Sequence, residues 1–119
     1  MDRERLLEFL TAIGATARLE RDGCGDFFIP TRWGHIYRDG TGYLVFFSFT
    51  GHPRRWNNMK RRLGGFRVTQ DGDDEGCIHI DTLDYLPPNG LRKCVGLRKR
   101  GKSNPDAANH LRKYRFGNA

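Results

Sequence analysis

The chain of 119 residues contains no apolar run long enough to cross a bilayer. Its opening stretch, MDRERLLEFL, is too charged to supply the uninterrupted apolar core of a signal peptide. Only three cysteines occur, Cys24, Cys77 and Cys94, an odd number with no short pairing. That argues against a disulfide framework and for a reducing compartment. Together these absences predict a soluble cytoplasmic protein with no membrane partner. Also missing are a Gly-x-Ser-x-Gly elbow, a phosphate-loop sequence, a Cys–His pair at a recognisable spacing and the RNP-type pattern of an RNA-recognition sheet. No catalytic residue is signalled, and a role without catalysis is expected.

The most informative absence is of acid. No Asp or Glu occurs between Gly40 and Gln70, a window that holds Arg54, Arg55, Lys60, Arg61, Arg62 and Arg67. The formal net charge is +7, and it is unevenly spread. Residues 1–39 carry 6 basic and 7 acidic side chains, so that third is neutral. Residues 71–84 carry 6 acidic and no basic side chains, and residues 85–119 carry 9 basic ones against Asp106 alone. The excess positive charge therefore forms two blocks around an acidic insert. Polyanions are the partner class that this pattern favours, although the total alone also fits an acidic protein surface.

Periodicity predicts one α+β domain over residues 1–100 and a basic tail or arm over 101–119. Leu6, Phe9, Leu10 and Ile13 fall at i, i+3, i+4 and i+7, giving a helix over residues 3–13 that Gly14 stops. Ala15, Ala17 and Leu19 alternate with polar residues as a half-buried strand, and after the turn at Asp22–Gly25 the run DFFIP returns as its partner. His35–Arg38 and Tyr43–Phe49 flank a second hairpin signal at Asp39–Gly42. Pro53 opens a helix over Arg54–Leu63, and Gly64-Gly65 ends it. Its apolar side carries Trp56, Met59 and Leu63; Arg54, Asn58, Arg61 and Arg62 project from the other, with Lys60 at the border. Phe66–Gln70 and Cys77–Asp81 read as a third hairpin, and Leu91–Leu97 as one or two helical turns after Pro87-Pro88. The expected architecture is an antiparallel sheet of about five or six strands, with the N-terminal and basic helices on one face.

Cations beside aromatic strands make the first candidate site. Arg54, Arg55, Lys60, Arg61 and Arg62 on the helix, joined by Arg98, Lys99, Arg100 and Lys102, are placed to contact phosphates. The plain alternative is a solvated helix face that keeps the protein soluble. Alternation puts Tyr43, Val45, Phe47 and Phe49 on one sheet face and Leu44, Phe46 and Ser48 on the other. Most of these rings belong to a core by composition. Tyr43 and Trp33, the latter between Arg32 and Gly34 in a loop, are the candidates for stacking on bases.

The acidic hairpin is the second candidate. Asp71, Asp73 and Glu75 stand at positions 1, 3 and 5 of a loop with Gly76 at 6 and Ile78 at 8, like the first half of a calcium-binding EF-hand loop. Thr82 occupies position 12, where a bidentate Glu belongs. The same three carboxylates with His79 can be read as a divalent-cation site near bound phosphates. Cys77 and His79 share one strand face, but no second close pair completes a zinc site. Against every metal reading, Asp and Gly are turn formers, and a charged tip protects a hairpin from mispairing. A third role is masking, in which the acidic tip pairs with cations of the helix. The expectation is no resident cofactor, with a divalent cation at Asp71, Asp73 and Glu75 as the exception to test.

The segment TQDGDDEGCIHID followed by GLRKCVGLRKR resembles small proteins of proteobacterial genomes and mobile elements that carry a near-identical TQDGDDEG hairpin. The resemblance spans roughly Gly42 to Arg100 and is most specific over Thr69–Gly76. It implies a bacterial, phage or mobile-element setting and assigns no activity. The chain departs from that pattern in lacking an acidic helical segment between Pro88 and Gly96.

Three functions follow as expectations. The first is a small nucleic-acid-binding protein, for DNA or RNA, without catalysis of its own. The second is a protein-interaction module or inhibitor that docks on a host nucleic-acid-processing complex. The third is a metal-dependent nuclease using Asp71, Asp73 and Glu75.

Overall fold

Alternation along one aromatic strand sets the architecture. In the computed structural model, which describes residues 2–84, 86 and 88–101, the strand Gly42–Ser48 buries Tyr43, Val45 and Phe47 and leaves Leu44, Phe46 and Ser48 half-buried. Successive side chains of a strand point to opposite faces, so this pattern marks one face as core and the other as open.

The elements in chain order are α1 (Asp2–Ala12), β1 (Ala15–Thr16), β2 (Glu20–Arg21), β3 (Phe27–Pro30), β4 (Gly34–Asp39), β5 (Gly42–Ser48), α2 (Pro53–Arg62), β6 (Arg67–Asp71), β7 (Glu75–Ile80), α3 (Pro88–Val95) and β8 (Arg98–Lys99). Six strands form one antiparallel sheet in the order β2-β3-β4-β5-β7-β6. The expected α+β class and antiparallel sheet are both present. Consecutive hairpins build the sheet as far as β5; α2 then crosses to the far edge, and β7 returns into the gap between β5 and β6. That central position explains why β7 is buried from Gly76 to Ile80 while edge strand β6 is exposed throughout.

The helical face holds the core. Leu6, Phe9, Leu10 and Ile13, the i, i+3, i+4, i+7 set, pack with Ile29, Ile36, Val45, Ile78 and Ile80 of the sheet. Trp56, Met59 and Leu63 of α2 and Leu91, Cys94 and Val95 of α3 complete the same cluster. Each fully buried side chain of this size contributes on the order of 1.5–3 kcal/mol of hydrophobic stabilisation. Among the described residues no helix is long and apolar enough to cross a membrane.

Two expectations are corrected. The strand read from Ala15 to Glu20 is broken: β1 and β2 are two residues each and belong to different sheets. The partner of β1 is β8, with Ala15 opposite Lys99 and Thr16 opposite Arg98. The chain reaches it by leaving α3 at Gly96, whose φ of 70° closes the helix with Gly96 N–H donating to the Lys93 carbonyl and Leu97 N–H to the Arg92 carbonyl. Arg98, Lys99 and Arg100 are therefore part of the fold. Arg100 is tied twice, its N–H to the Gly14 carbonyl (2.8 Å) and its guanidinium to the Thr11 hydroxyl (2.7 Å). The proposed tail beyond Gly101, with Lys102, lies outside the described residues.

Candidate functional site

Helix α2 starts where the sequence says it should. Gly51 turns the chain out of β5 with φ of 79°, His52 N–H donates to the Phe49 carbonyl, and Pro53 occupies the first turn. The acidic hairpin fixes this start, because Gly51 N–H donates to Asp74 Oδ2 (2.9 Å) and Phe49 N–H to the Asp74 carbonyl (2.8 Å).

The same hairpin fixes the helix body. Trp56 lies fully buried over Gly76 of β7, where any Cβ would collide with the indole ring and with the Gln70 carbonyl. Asp71 Oδ1 accepts two hydrogen bonds of 2.8 Å, from the Trp56 indole N–H and from the Lys60 ammonium. These bonds, Lys60 first and then Trp56, hold the Asp71 carboxyl below its ordinary range. Lys60 is thus spent inside the molecule and is not a free phosphate contact.

With Trp56, Met59 and Leu63 buried, the other side of α2 presents two parallel rows at i, i+3, i+7. One is Arg54–Asn57–Arg61 and the other Arg55–Asn58–Arg62, all exposed. Among the described residues none of these four arginines has a carboxylate within ion-pair distance. Arg54 and Arg55 also sit in the first turn, which carries no acidic residue. Cations at the positive end of the helix dipole are unfavourable by roughly 0.3–1 kcal/mol each, so local stability does not account for them.

The second row borders a cleft of about 410 Å³. Arg55, Asn58 and Arg62 form one wall, Lys93 and Cys94 of α3 another, and Arg32, Trp33 and Phe49 the back. Among the described residues no carboxylate lines it. Trp33 is half-buried, 4.9 Å from Phe49 between ring centroids, with the guanidinium carbons of Arg32 and Arg55 at 4.8 and 5.5 Å from its ring. A tight turn holds it there: Thr31 N–H donates to the Gly34 carbonyl, Gly34 N–H to the Thr31 hydroxyl, and Ser48 N–H to the Trp33 carbonyl. Arg32 is held from both ends, its N–H bonded to the Val95 carbonyl and its stem packed against Gly96, where a Cβ would lie 2.6 Å from that of Arg32. The arrangement offers four cations and one accessible ring around a volume of small-ligand size.

No family model, curated protein or solved structure matches the chain. The site is accordingly read from its own chemistry.

The structure sorts the residues singled out in the sequence. It brings Arg55, Arg62 and Trp33 together at the cleft and places Arg54 and Arg61 on the adjoining row. It puts Arg98 and Lys99 on β8 and ties Arg100, just beyond, to Thr11 and Gly14. Tyr43 is corrected: at 1% exposure it cannot stack on a base. Its ring packs 4.7 Å from Phe9 and its hydroxyl donates to the Arg5 carbonyl (2.7 Å). The metal reading gains no geometry, because Asp71 is engaged with Trp56 and Lys60. Among the described residues no three His, Cys, Asp or Glu side chains converge on a common point. Cys77 is buried, its thiol donating to Gln70 Oε1 and raised by that burial. His79 is held between carboxylates, Nδ1 at 2.7 Å from Asp81 and Nε2 at 3.4 Å from Asp39.

Sequence reasoning missed Arg32 and Lys93, which come from remote segments and carry no shared spacing. It also missed the occupants of the open sheet face. There Phe28, Tyr37, His35 and Phe46 form a run of half-buried rings, with centroids 5.4 Å apart for Phe28–Tyr37, 5.0 Å for Tyr37–His35 and 4.9 Å for His35–Phe46. Burial holds His35 toward the neutral imidazole. Strand parity was the available signal, had it been carried from β5 to β3 and β4. This face is bordered by carboxylates, with Glu20 opposite Phe28, Asp22 accepting from the Tyr37 hydroxyl and Glu75 opposite Ser48.

Proposed function

We propose that the protein is a small non-catalytic nucleic-acid-binding protein that grips the phosphate backbone with the outer face of α2. One observation carries this reading: Arg54, Arg55, Arg61 and Arg62 stand exposed in two rows without carboxylate partners among the described residues. Phosphates supply the missing counter-charge, and a row spans about 10 Å between its arginines at the helical rise per residue. Arg32 and Lys93 extend the positive surface across the cleft. Arg98 and Lys99 on β8, with Arg100 just after it, add further exposed cations. The bacterial, phage or mobile-element setting rests on the Thr69–Gly76 resemblance. A salt series with single- and double-stranded DNA and RNA tests the reading. Affinity that falls steeply as salt rises supports it, and weak binding indifferent to salt overturns it.

The open sheet face favours a second reading, a protein-interaction module acting on a host nucleic-acid-processing complex. Half-buried rings bordered by Glu20, Asp22 and Glu75 suit an apolar partner with a basic rim better than they suit phosphate. Co-purification with such a complex, with no binding to bare oligonucleotides, supports this reading over the first.

A further inference from the structure

The cleft between α2 and α3 differs from the outer row of α2 in having a floor. Arg54 and Arg61 present charge to open solvent, whereas Arg55, Arg62 and Lys93 surround a ring. Backbone binding alone uses charge and has no need of Trp33. The tryptophan is also held in place, through the Thr31–Gly34 turn, the Ser48 bond and its tilted packing against Phe49. Its two guanidinium neighbours are not equivalent. Both are exposed, but Arg32 has its N–H on the Val95 carbonyl and its stem against Gly96, while Arg55 stands on α2 and lies farther from the ring.

From this geometry we infer that the cleft is a pocket for one nucleotide, its base and flanking phosphate, presented by a single strand bound along α2. The inference rests on the nucleic-acid reading above and names its substrate class. The base takes the face of Trp33 that the Arg55 guanidinium now covers, and Arg55 swings off to meet the flanking phosphate with Arg62 and Lys93. Asn58, between the two arginines of its row, offers an amide donor and acceptor to the base edge. A volume of about 410 Å³ has room for a nucleotide. A base in a duplex is already stacked and paired on both sides, so a paired strand can satisfy the arginine rows but not the pocket. The same chemistry is offered by a free mononucleotide, and the test separates the two sources.

Intrinsic fluorescence gives a local readout, because the chain has two tryptophans and Trp56 is fully buried. The full chain is titrated with an oligothymidylate of about eight nucleotides, an abasic strand of the same length, a duplex of the same length and thymidine monophosphate. The expected result is quenching of Trp33 by the oligothymidylate alone among the strands, with binding roughly fivefold or more tighter than to the abasic strand. With affinity read from the anisotropy of an end-labelled strand, since the variants lack the Trp33 reporter, Trp33→Leu brings the oligothymidylate down to the abasic level, and Trp33→Phe, which keeps a ring, restores the difference. Both variants are compared by circular dichroism so that a folding defect is seen as such.

Equal binding of base-bearing and abasic strands, without quenching, overturns the pocket and leaves backbone binding by α2 standing. Quenching by the mononucleotide without binding of any strand overturns the nucleic-acid reading and assigns the pocket to a free nucleotide. No binding in any arm overturns both. Loss of the ring preference in a folded Trp33→Phe variant overturns stacking as the mode of recognition.

Discussion

The Trp56 indole N–H donates to Asp71 at 2.8 Å, across the junction between the basic helix and the acidic hairpin. Lys60 shares the same carboxylate oxygen. The acidic insert therefore acts on the buried and border positions of α2 and, among the described residues, forms no ion pair with the arginines on the outer side. Masking, as read from the sequence, applies to Lys60 alone.

This arrangement predicts an acid-dependent step in stability. The folded state depresses the Asp71 carboxyl below its ordinary value of 3.8, Lys60 being the larger cause. Its contribution is then fully present above that value and is lost as pH falls through the depressed folded value. Thermal melts of wild type and Asp71→Asn across the acid range check it. The variant should melt lower at neutral pH, and the gap should close in acid. Parallel curves at all pH values would show that the contact contributes nothing.

Gly76 predicts a second outcome. A methyl group there meets the Trp56 ring and the Gln70 carbonyl, and neither the buried ring nor the edge-strand backbone can yield cheaply. Gly76→Ala should cost about 1–3 kcal/mol, as overpacking does, with a lower denaturant midpoint at unchanged slope. A midpoint equal to wild type would mean that α2 is not seated on β7 as described.

Tyr43 separates core from interface. Removing its hydroxyl deletes the bond to the Arg5 carbonyl and keeps the ring against Phe9. Tyr43→Phe should lose about 0.5–1.5 kcal/mol of stability and leave oligonucleotide affinity unchanged. An altered affinity without an altered midpoint would return Tyr43 to the interface.

An alkaline transition is expected at the open face. Burial and then the bond to Asp22 push the Tyr37 phenol up to about 12 from its usual 10.0. A raised folded value means that the contribution is complete below about 10 and disappears as pH rises through about 12. Tyrosinate absorbance in wild type and Asp22→Asn should show one tyrosine titrating earlier in the variant.

Much of this was legible in the chain. The i, i+3, i+4, i+7 set in α1, the Pro53 start of α2 and the two-faced β5 all follow from local periodicity, which tertiary packing reinforces. The buried side of α2 was equally plain from Trp56, Met59 and Leu63. What stayed hidden depends on contacts between distant segments. The two-residue strands β1 and β8 have too few residues to show alternation, and only the Gly96 turn brings Arg98 beside Thr16. Lys60 looked like its arginine neighbours because charge patterning does not show a partner 11 residues away. Arg32 packs where Gly96 lacks a side chain, and Lys93 comes to the same cleft from α3, a segment remote in sequence.

That difference between Lys60 and the arginines yields the sharpest functional prediction. Each cation that neutralises a phosphate adds about 0.7 to the magnitude of the slope of log K against log salt for a single strand, and about 0.9 for duplex DNA. Arg54→Gln with Arg61→Gln removes two exposed cations from one row and touches no core contact, so the slope should shrink by about 1.4–1.8 units. Stability should be unchanged, since neither side chain has an ion pair among the described residues. Lys60→Met should do the reverse, lowering the melting temperature through the lost contact with Asp71 and leaving the slope as it was. If Lys60→Met flattens the salt dependence as much as the double arginine variant does, Lys60 leaves Asp71 on binding. The hairpin would then release a cation to the nucleic acid instead of holding it back.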